Sequence, residues 1–282
     1  MPYGFTRGEK AKILVLNPNS SQAMTDGMKT AIDSVDLAYS TEIHTYTAPS
    51  DAPASINNAL DISQSASAVM ADLKESSHFQ RFLFDGVLVA CFSVHPLVPI
   101  LQTGQQGPSC PAVTGIFEAS ILAALSLLKP KEQWGIVTTG KFWEEHLYDG
   151  VGQYLGALPG PGDPPLWPDR KPRWCNEKFA GVQSTGLNAS DFHDGVDPAV
   201  VRKKLKEATK RLLRKRDGVA CIVMGCAGMA GLEEIIREAA SELRGEKFAY
   251  EELHVIDGVR AGIMQIETMI KHQRQRPGKP SK

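Results

Sequence analysis

Apolar, β-branched runs that close on Gly, Asn, Ser or Thr recur down this chain, each followed by a stretch with apolar positions at helical spacing. Runs without polar alternation are what strands buried on both faces look like, and their alternation with helical patterns marks a parallel sheet with crossover helices. The pattern predicts strands at Lys12–Asn17, Thr41–Thr47, Gly86–Cys91, Ala112–Gly115, Trp134–Thr138, Gly181–Thr185, Gly218–Gly225 and Leu253–Ile256. The class is α/β, and the strands fall as four and four.

The two sets share a rhythm. The third strand of each opens on one triplet, Asp85-Gly86-Val87 and Asp217-Gly218-Val219, and each leads to a cysteine, Cys91 and Cys226. Agreement of triplet, strand, cysteine and ordinal position argues for a degenerate repeat. The expected architecture is two pseudo-symmetric lobes, each a four-stranded, mainly parallel sheet flanked by helices, with the active site in the cleft between them. Residues 1–130 would form the first lobe, across which the C-terminal segment is free to pack, and residues 131–270 the second. The basic stretch 271–282 reads as a frayed, flexible tail. Residues 158–178, rich in Pro and Gly and holding two tryptophans, read as a long irregular insertion, either a lid or a surface excursion.

With 31 basic against 32 acidic residues and a net charge of −1, the chain offers no broad field for nucleic acid or an anionic membrane. A small-molecule substrate fits better, and a homo-oligomer stays open. The polar start and the absence of a run of about 20 apolar residues point to a cytoplasmic protein. Five cysteines, an odd number with no C-x-x-C pair, are expected as thiols, with neither disulfides nor a metal site. No cofactor motif is present: Gly225, Gly228 and Gly231 do not make the dinucleotide fingerprint, and no P-loop lysine is found.

Ligands of open α/β sheets bind beyond the carboxyl ends of the strands, so Cys91 and Cys226 would each look into that region. Pro96 and Pro99 belong in the first turn of a helix after Cys91, and Gly228 and Gly231 leave N–H groups accessible after Cys226. Helix N-termini favour the thiolate, so both cysteines are expected below the free value of about 8.5. A free cysteine is more often a small buried hydrophobe, and it is the pair at equivalent strand ends that argues for chemistry. Cys221 reads as core, and Cys110 and Cys175 have nothing to activate them. His95, just before Pro96, reads as an exposed helix-start residue rather than one that orients substrate. In Asn17-Pro18-Asn19-Ser20 either Ser20 or Asn19 is expected to cap the next helix, which leaves Asn17 able to reach a ligand.

The stretches ILVLNPNSSQAMTDGM, DAPASI, VACFSVHPL, WGIVTTGKFW and IVMGCAGMAGL resemble, in that order, the hydantoin and allantoin racemase branch of the aspartate/glutamate racemase superfamily, from about Ile13 to about Met269. The resemblance implies a two-lobed α/β fold, no cofactor, and a mechanism in which one cysteine removes the α-proton while the other delivers one to the opposite face. Those roles map onto Cys91 and Cys226. Substrate binding by small polar residues and backbone amides would map onto Asn17, Ser93, Thr138, Thr139 and Gly228, with Ser55 and Ile56 in the loop after the second strand. After the first cysteine the family often carries an acidic residue and a glycine, where this chain has Val94-His95-Pro96; the departure bears on the substrate more than on the reaction.

The chemistry is coherent on its own terms. An α-hydrogen beside a carbonyl needs a placed base, an environment that holds an enolate, and a second group ready to reprotonate. Other readings compete with it. A cysteine hydrolase elbow would need glycine where Met224 stands. A maleate-isomerase-like or decarboxylase-like enzyme on the same scaffold, or a non-catalytic small-molecule sensor, would keep the fold and change the function.

Overall fold

In a computed structural model the described residues are 10–33, 41–75, 83–103, 110–157, 176–192 and 195–275. All eight expected strands are present: β1 (Ala11–Asn17), β2 (Thr41–Thr47), β3 (Gly86–Val89), β4 (Ala112–Gly115), β5 (Gln133–Thr138), β6 (Phe179–Ser184), β7 (Val219–Gly225) and β8 (His254–Asp257). The helices are α1 (Gln22–Asp33), α2 (Ala59–Glu75), α3 (Leu97–Gln102), α4 (Ile116–Leu127), α5 (Phe142–Tyr154), α6 (Pro198–Lys215), α7 (Glu233–Arg244) and α8 (Gly258–Arg274).

The strands form two four-stranded sheets of one order, β2-β1-β3-β4 and β6-β5-β7-β8, with every pairing parallel. Helices flank both sheets, as the pattern predicted. In each order the chain reverses direction across the sheet between the first and third strands of the set. At that switch point the connections leave to opposite sides and open a crevice beyond the strand ends.

The first compact unit gathers residues up to Cys91, His95–Ala119 and the chain from Val259; the second takes Phe92–Val94 and Ser120–Gly258. The main passage lies at Ala119–Ser120, inside α4, earlier than the 130/131 boundary drawn from the sequence. Its segment IFEASILAALSL is apolar almost throughout, so hydropathy marks no break there.

Helix α8 belongs to the first unit and explains two of its glycines. A Cβ on Gly86 would run into the Ile266 side chain, and one on Gly262 into Leu88. Polar ties add to this contact: Thr41 donates to the Glu267 carboxylate, and Arg274 meets Asp85 at 3.3 Å. Asp85 also accepts from the Lys12 N–H at 2.8 Å. These contacts keep residues 271–274 helical, where a frayed tail was expected; a basic helix end is also favoured by the dipole. The rest of that tail, 276–282, lies outside the described residues, as does 158–175 of the expected insertion with its Cys175.

The second sheet is buried from both sides. Strand β7 (VACIVMG) is buried at every position, with Leu205, Leu212, Ile236 and Ala240 of α6 and α7 among its core companions. Gly135 admits Leu212, whose methyl groups stand within 2.9 Å of where a Cβ would be. Outside that core, Arg202, Lys206 and Lys210 of α6 interleave with Glu238 and Glu242 of α7 as a surface ladder of ion pairs. No helix among the described residues is long and apolar enough to cross a membrane.

Candidate functional site at the strand ends

In the first unit, β1 and β3 flank the switch point. Leu16 pairs with Val89, and the Ala90 N–H still reaches the Leu16 carbonyl at 2.8 Å, so Cys91 stands two residues past the last strand position rather than at the strand's end. Its thiol is half-buried. Phe92 and Ser93, which group with the second unit, and His95 of the first are all buried.

His95 is not the exposed residue expected. Its Nδ1 accepts the Leu97 N–H at 3.3 Å, and its Nε2 lies 3.0 Å from the Ser65 hydroxyl on α2. Ser65 in turn donates to the Ile62 carbonyl at 2.9 Å. Burial pulls the imidazole pKa down to about 3, so the ring is neutral and carries its proton on Nε2. With Pro96 unable to supply a side-chain cap, the imidazole holds the first N–H of α3 and ties the start of that helix to α2.

Asn17, wholly buried, faces its own loop. Its Nδ2 donates to Asn19 Oδ1 and Thr25 Oγ1, both at 3.0 Å, while its Oδ1 accepts the Asn19 N–H at 3.2 Å. The helix cap is Ser21, whose hydroxyl accepts the Met24 N–H at 3.3 Å. Neither Ser20 nor Asn19 fills that place, because Ser20 is spent elsewhere: its hydroxyl donates to the Ala52 carbonyl at 2.9 Å and its N–H to Pro53 at 3.0 Å. The NPNSS loop is therefore stitched to the loop that carries Ser55 and Ile56. There Ser55 bonds to Asn57 at 3.3 Å and Ile56 is buried.

In the second unit the corresponding pair is β5 and β7. Thr138 pairs with Gly225, and the buried Thr138 hydroxyl donates to the Gly225 carbonyl at 2.8 Å. A Cβ on Gly225 would stand 2.6 Å from Ile136 Cγ2, so only glycine lets β7 lie this close to β5 before Cys226. Thr139 is buried, and its carbonyl accepts the Gly186 N–H at 2.9 Å.

Cys226 adopts extended backbone and opens a 3-10 turn, Ala227–Met229; α7 begins only at Glu233. The Gly228 N–H points at the Cys226 Sγ, 3.3 Å away. Burial pushes the thiol pKa up to about 11, although the Gly228 and Met229 amides pull it down. This corrects the expectation of a thiol shifted toward neutrality. One short turn supplies two amides and no full helix dipole, which is too little to offset desolvation. Cys221, inside β7, is pushed to about 12 and is an inert core residue.

The geometry thus gathers Asn17 with the Ser55–Ile56 loop at one switch point, and Thr138, Thr139, Gly228 and Cys226 at the other. Two features were not singled out from the sequence. Glu118 is the lone charge in the apolar helix α4, a signal that was available. A groove of about 710 Å³ beside α5 and β6, lined by Lys141, His146, Gln183 and Lys215 among others, holds none of the candidates and left no motif. Among the described residues no cluster of three His, Cys, Asp or Glu side chains is placed to hold a metal ion.

Two open parallel sheets of one strand order, each leading from its third strand to a thiol, define a two-lobed, doubly wound α/β protein. The chain belongs to the Asp/Glu/Hydantoin racemase family, which it matches over residues 13–161 and 173–266, and is an enzyme of the isomerase class. It is similar over 265 residues, at 30% identity and 92% of each chain, to the uncharacterized protein C1F7.10 of Schizosaccharomyces pombe. The hydantoin racemase of Pseudomonas sp. (strain NS671) is 27% identical over 259 residues, covering 92% of this chain and 86% of that one. Among solved structures, the allantoin racemase from Klebsiella pneumoniae superposes with a TM-score of 0.68 over 97% of this chain and 96% of its own, at 24% identity, a likeness of fold.

Proposed function

We propose that the protein racemises a small, neutral carbon acid of the 5-substituted hydantoin or allantoin class, without a cofactor, using Cys91 and Cys226 as the proton-transferring pair. The observation that carries this reading is positional. Each of two sheets with the same strand order leads, from its third strand and at its switch point, to a cysteine. Similarity to a hydantoin racemase along nearly the whole chain supports the substrate class.

One thiolate takes the α-proton, and the electron pair of that C–H bond moves toward the neighbouring carbonyl oxygen. The other thiol then gives its proton to the opposite face of the same carbon, and the pair returns from oxygen. Atoms and charge balance, and the thiols exchange roles in the reverse reaction. With its pKa raised to about 11, Cys226 begins as the proton donor at neutral pH. Cys91 is then the base in that direction.

Proton NMR of enantiopure allantoin and 5-substituted hydantoins in D₂O tests the reading. Enzyme-dependent loss of the α-proton signal together with optical rotation, impaired in both Cys91→Ser and Cys226→Ser, is the expected result. Racemisation that survives undiminished in either variant would reject the two-thiol mechanism, whereas exchange with retained rotation fits one remaining thiol working on its own face; no exchange above background would reject these rings.

A further inference from the structure

Strand β4 lies beside β3, with Gly115 paired to Val89, so its carboxyl end opens on the same edge of the sheet as the segment that carries Cys91. Helix α4 starts there at once. Its third residue, Glu118, folds its carboxyl back over Gly115 into the place where a Cβ would stand, and Val98 Cγ2 is 3.1 Å from the same point. Alanine at 115 would displace the carboxyl, so the glycine is what admits it.

Glu118 Oε2 is buried and has no hydrogen-bond partner among the described residues. A buried polar atom left unpaired is costly and calls for a physical account. The elements that meet it bring no cation: α3 reads LVPILQ, β4 reads AVTG, and Glu118 is itself the one titratable residue of α4. Burial therefore dominates, and the backbone amides of Glu118 and Gly115 offset it only in part, leaving a pKa of about 7. Below neutrality the group is a neutral acid with an O–H to give.

We propose that Glu118 serves the reaction as a neutral carboxylic acid that donates a hydrogen bond to the ring carbonyl oxygen as the α-proton leaves. This rests on the racemase reading above. A neutral acid in apolar surroundings suits a carbon acid without charge: it stabilises the oxygen on which the electron pair collects and needs no cation. Its own proton stays on the carboxyl throughout, so the two-thiol balance is unchanged.

Glu118→Gln, which keeps the size and an N–H donor but cannot titrate, and Glu118→Met, which removes the donor, test the assignment together with difference infrared spectroscopy. Three results are expected. The wild-type protein shows a protonated-carboxyl band that disappears as pH rises through about 7, is missing in Glu118→Gln, and shifts when a 5-substituted hydantoin is added. Wild-type kcat declines above that pH while that of Glu118→Gln stays level. Glu118→Met loses on the order of 10²-fold in kcat with KM within a few-fold. An ionised carboxyl below neutrality, a band indifferent to the hydantoin, or an unchanged kcat in Glu118→Met would each overturn the proposal. If the wild-type enzyme exchanges no ring α-proton, the racemase reading fails, and the infrared shift alone decides whether Glu118 meets a ring carbonyl.

Discussion

The hydroxyl of Thr138 donates to the carbonyl oxygen of Gly225 across 2.8 Å, one residue before Cys226. The bond closes the end of β5 onto β7 and fixes the point from which the thiol departs. Thr138→Val keeps the shape and removes the donor, leaving a buried carbonyl unpaired. Urea unfolding should show a loss of about 1–3 kcal/mol. An unchanged midpoint would mean that water or a relaxed backbone takes over the carbonyl.

Cys226 should alkylate slowly at neutral pH. With its thiol pKa raised to about 11, the thiolate fraction, and with it the rate of reaction with iodoacetamide, should climb about tenfold per pH unit until that region is reached. Peptide mass spectrometry after timed labelling reads this directly. Fast labelling of Cys226 at neutral pH would show that its amide neighbours outweigh its burial. Cys221, at about 12 and in the core, should remain unlabelled in the folded protein.

His95 makes the fold sensitive to acid. Its folded pKa of about 3 lies below the ordinary 6.5, so the unfolded chain binds more protons, and stability present above 6.5 is lost as pH falls toward 3. At 1.36 kcal/mol per unit, the loss by about pH 3 is on the order of 5 kcal/mol. His95→Gln should be less stable at neutral pH, having lost the bonds to Leu97 and Ser65, yet show a flatter decline in acid. Parallel curves for the two proteins would remove His95 as the cause.

Glu118 acts in the opposite direction. A carboxyl raised from 4.5 to about 7 favours the folded state most below 4.5, and this contribution is lost as pH rises between those values. The difference in stability between wild type and Glu118→Gln should therefore change by about 3 kcal/mol across that window and level off above it. Chemical denaturation at several pH values measures it, and a constant difference would show that the carboxyl is not held neutral.

The fold was largely legible because parallel strands buried on both faces stand out as unbroken apolar runs. Thr41–Thr47 and Ala112–Gly115 match their strands end to end. The strand toward Cys91 was drawn too long, since Ala90 still looks like strand while the ladder has already closed at Val89. The cysteine positions could be read, but their electrostatics could not: a pKa depends on what surrounds the sulfur in space, and the same G-C-A-G that suggests activation lies in a partly buried turn where packing around the sulfur outweighs two amides. The helix cap was missed for a similar reason. Ser20 and Ser21 are indistinguishable as letters, and only the carbonyl of Ala52, distant in sequence, claims the first. Glu118 was visible as a lone acid in an apolar helix, yet nothing local ties it to Gly115.

The membership of α8 in the first unit also sets an order of assembly. A ribosome delivers Ser120–Gly258 complete before it delivers Ile266 and Ile270, the side chains that stand against Gly86. The half of the protein made first must therefore wait, with one of its strands uncovered, for the last helix to emerge, while the half made second can close on its own. A chain truncated after Gly258 and released should accordingly protect the later sheet from proteolysis and leave the earlier one open to it.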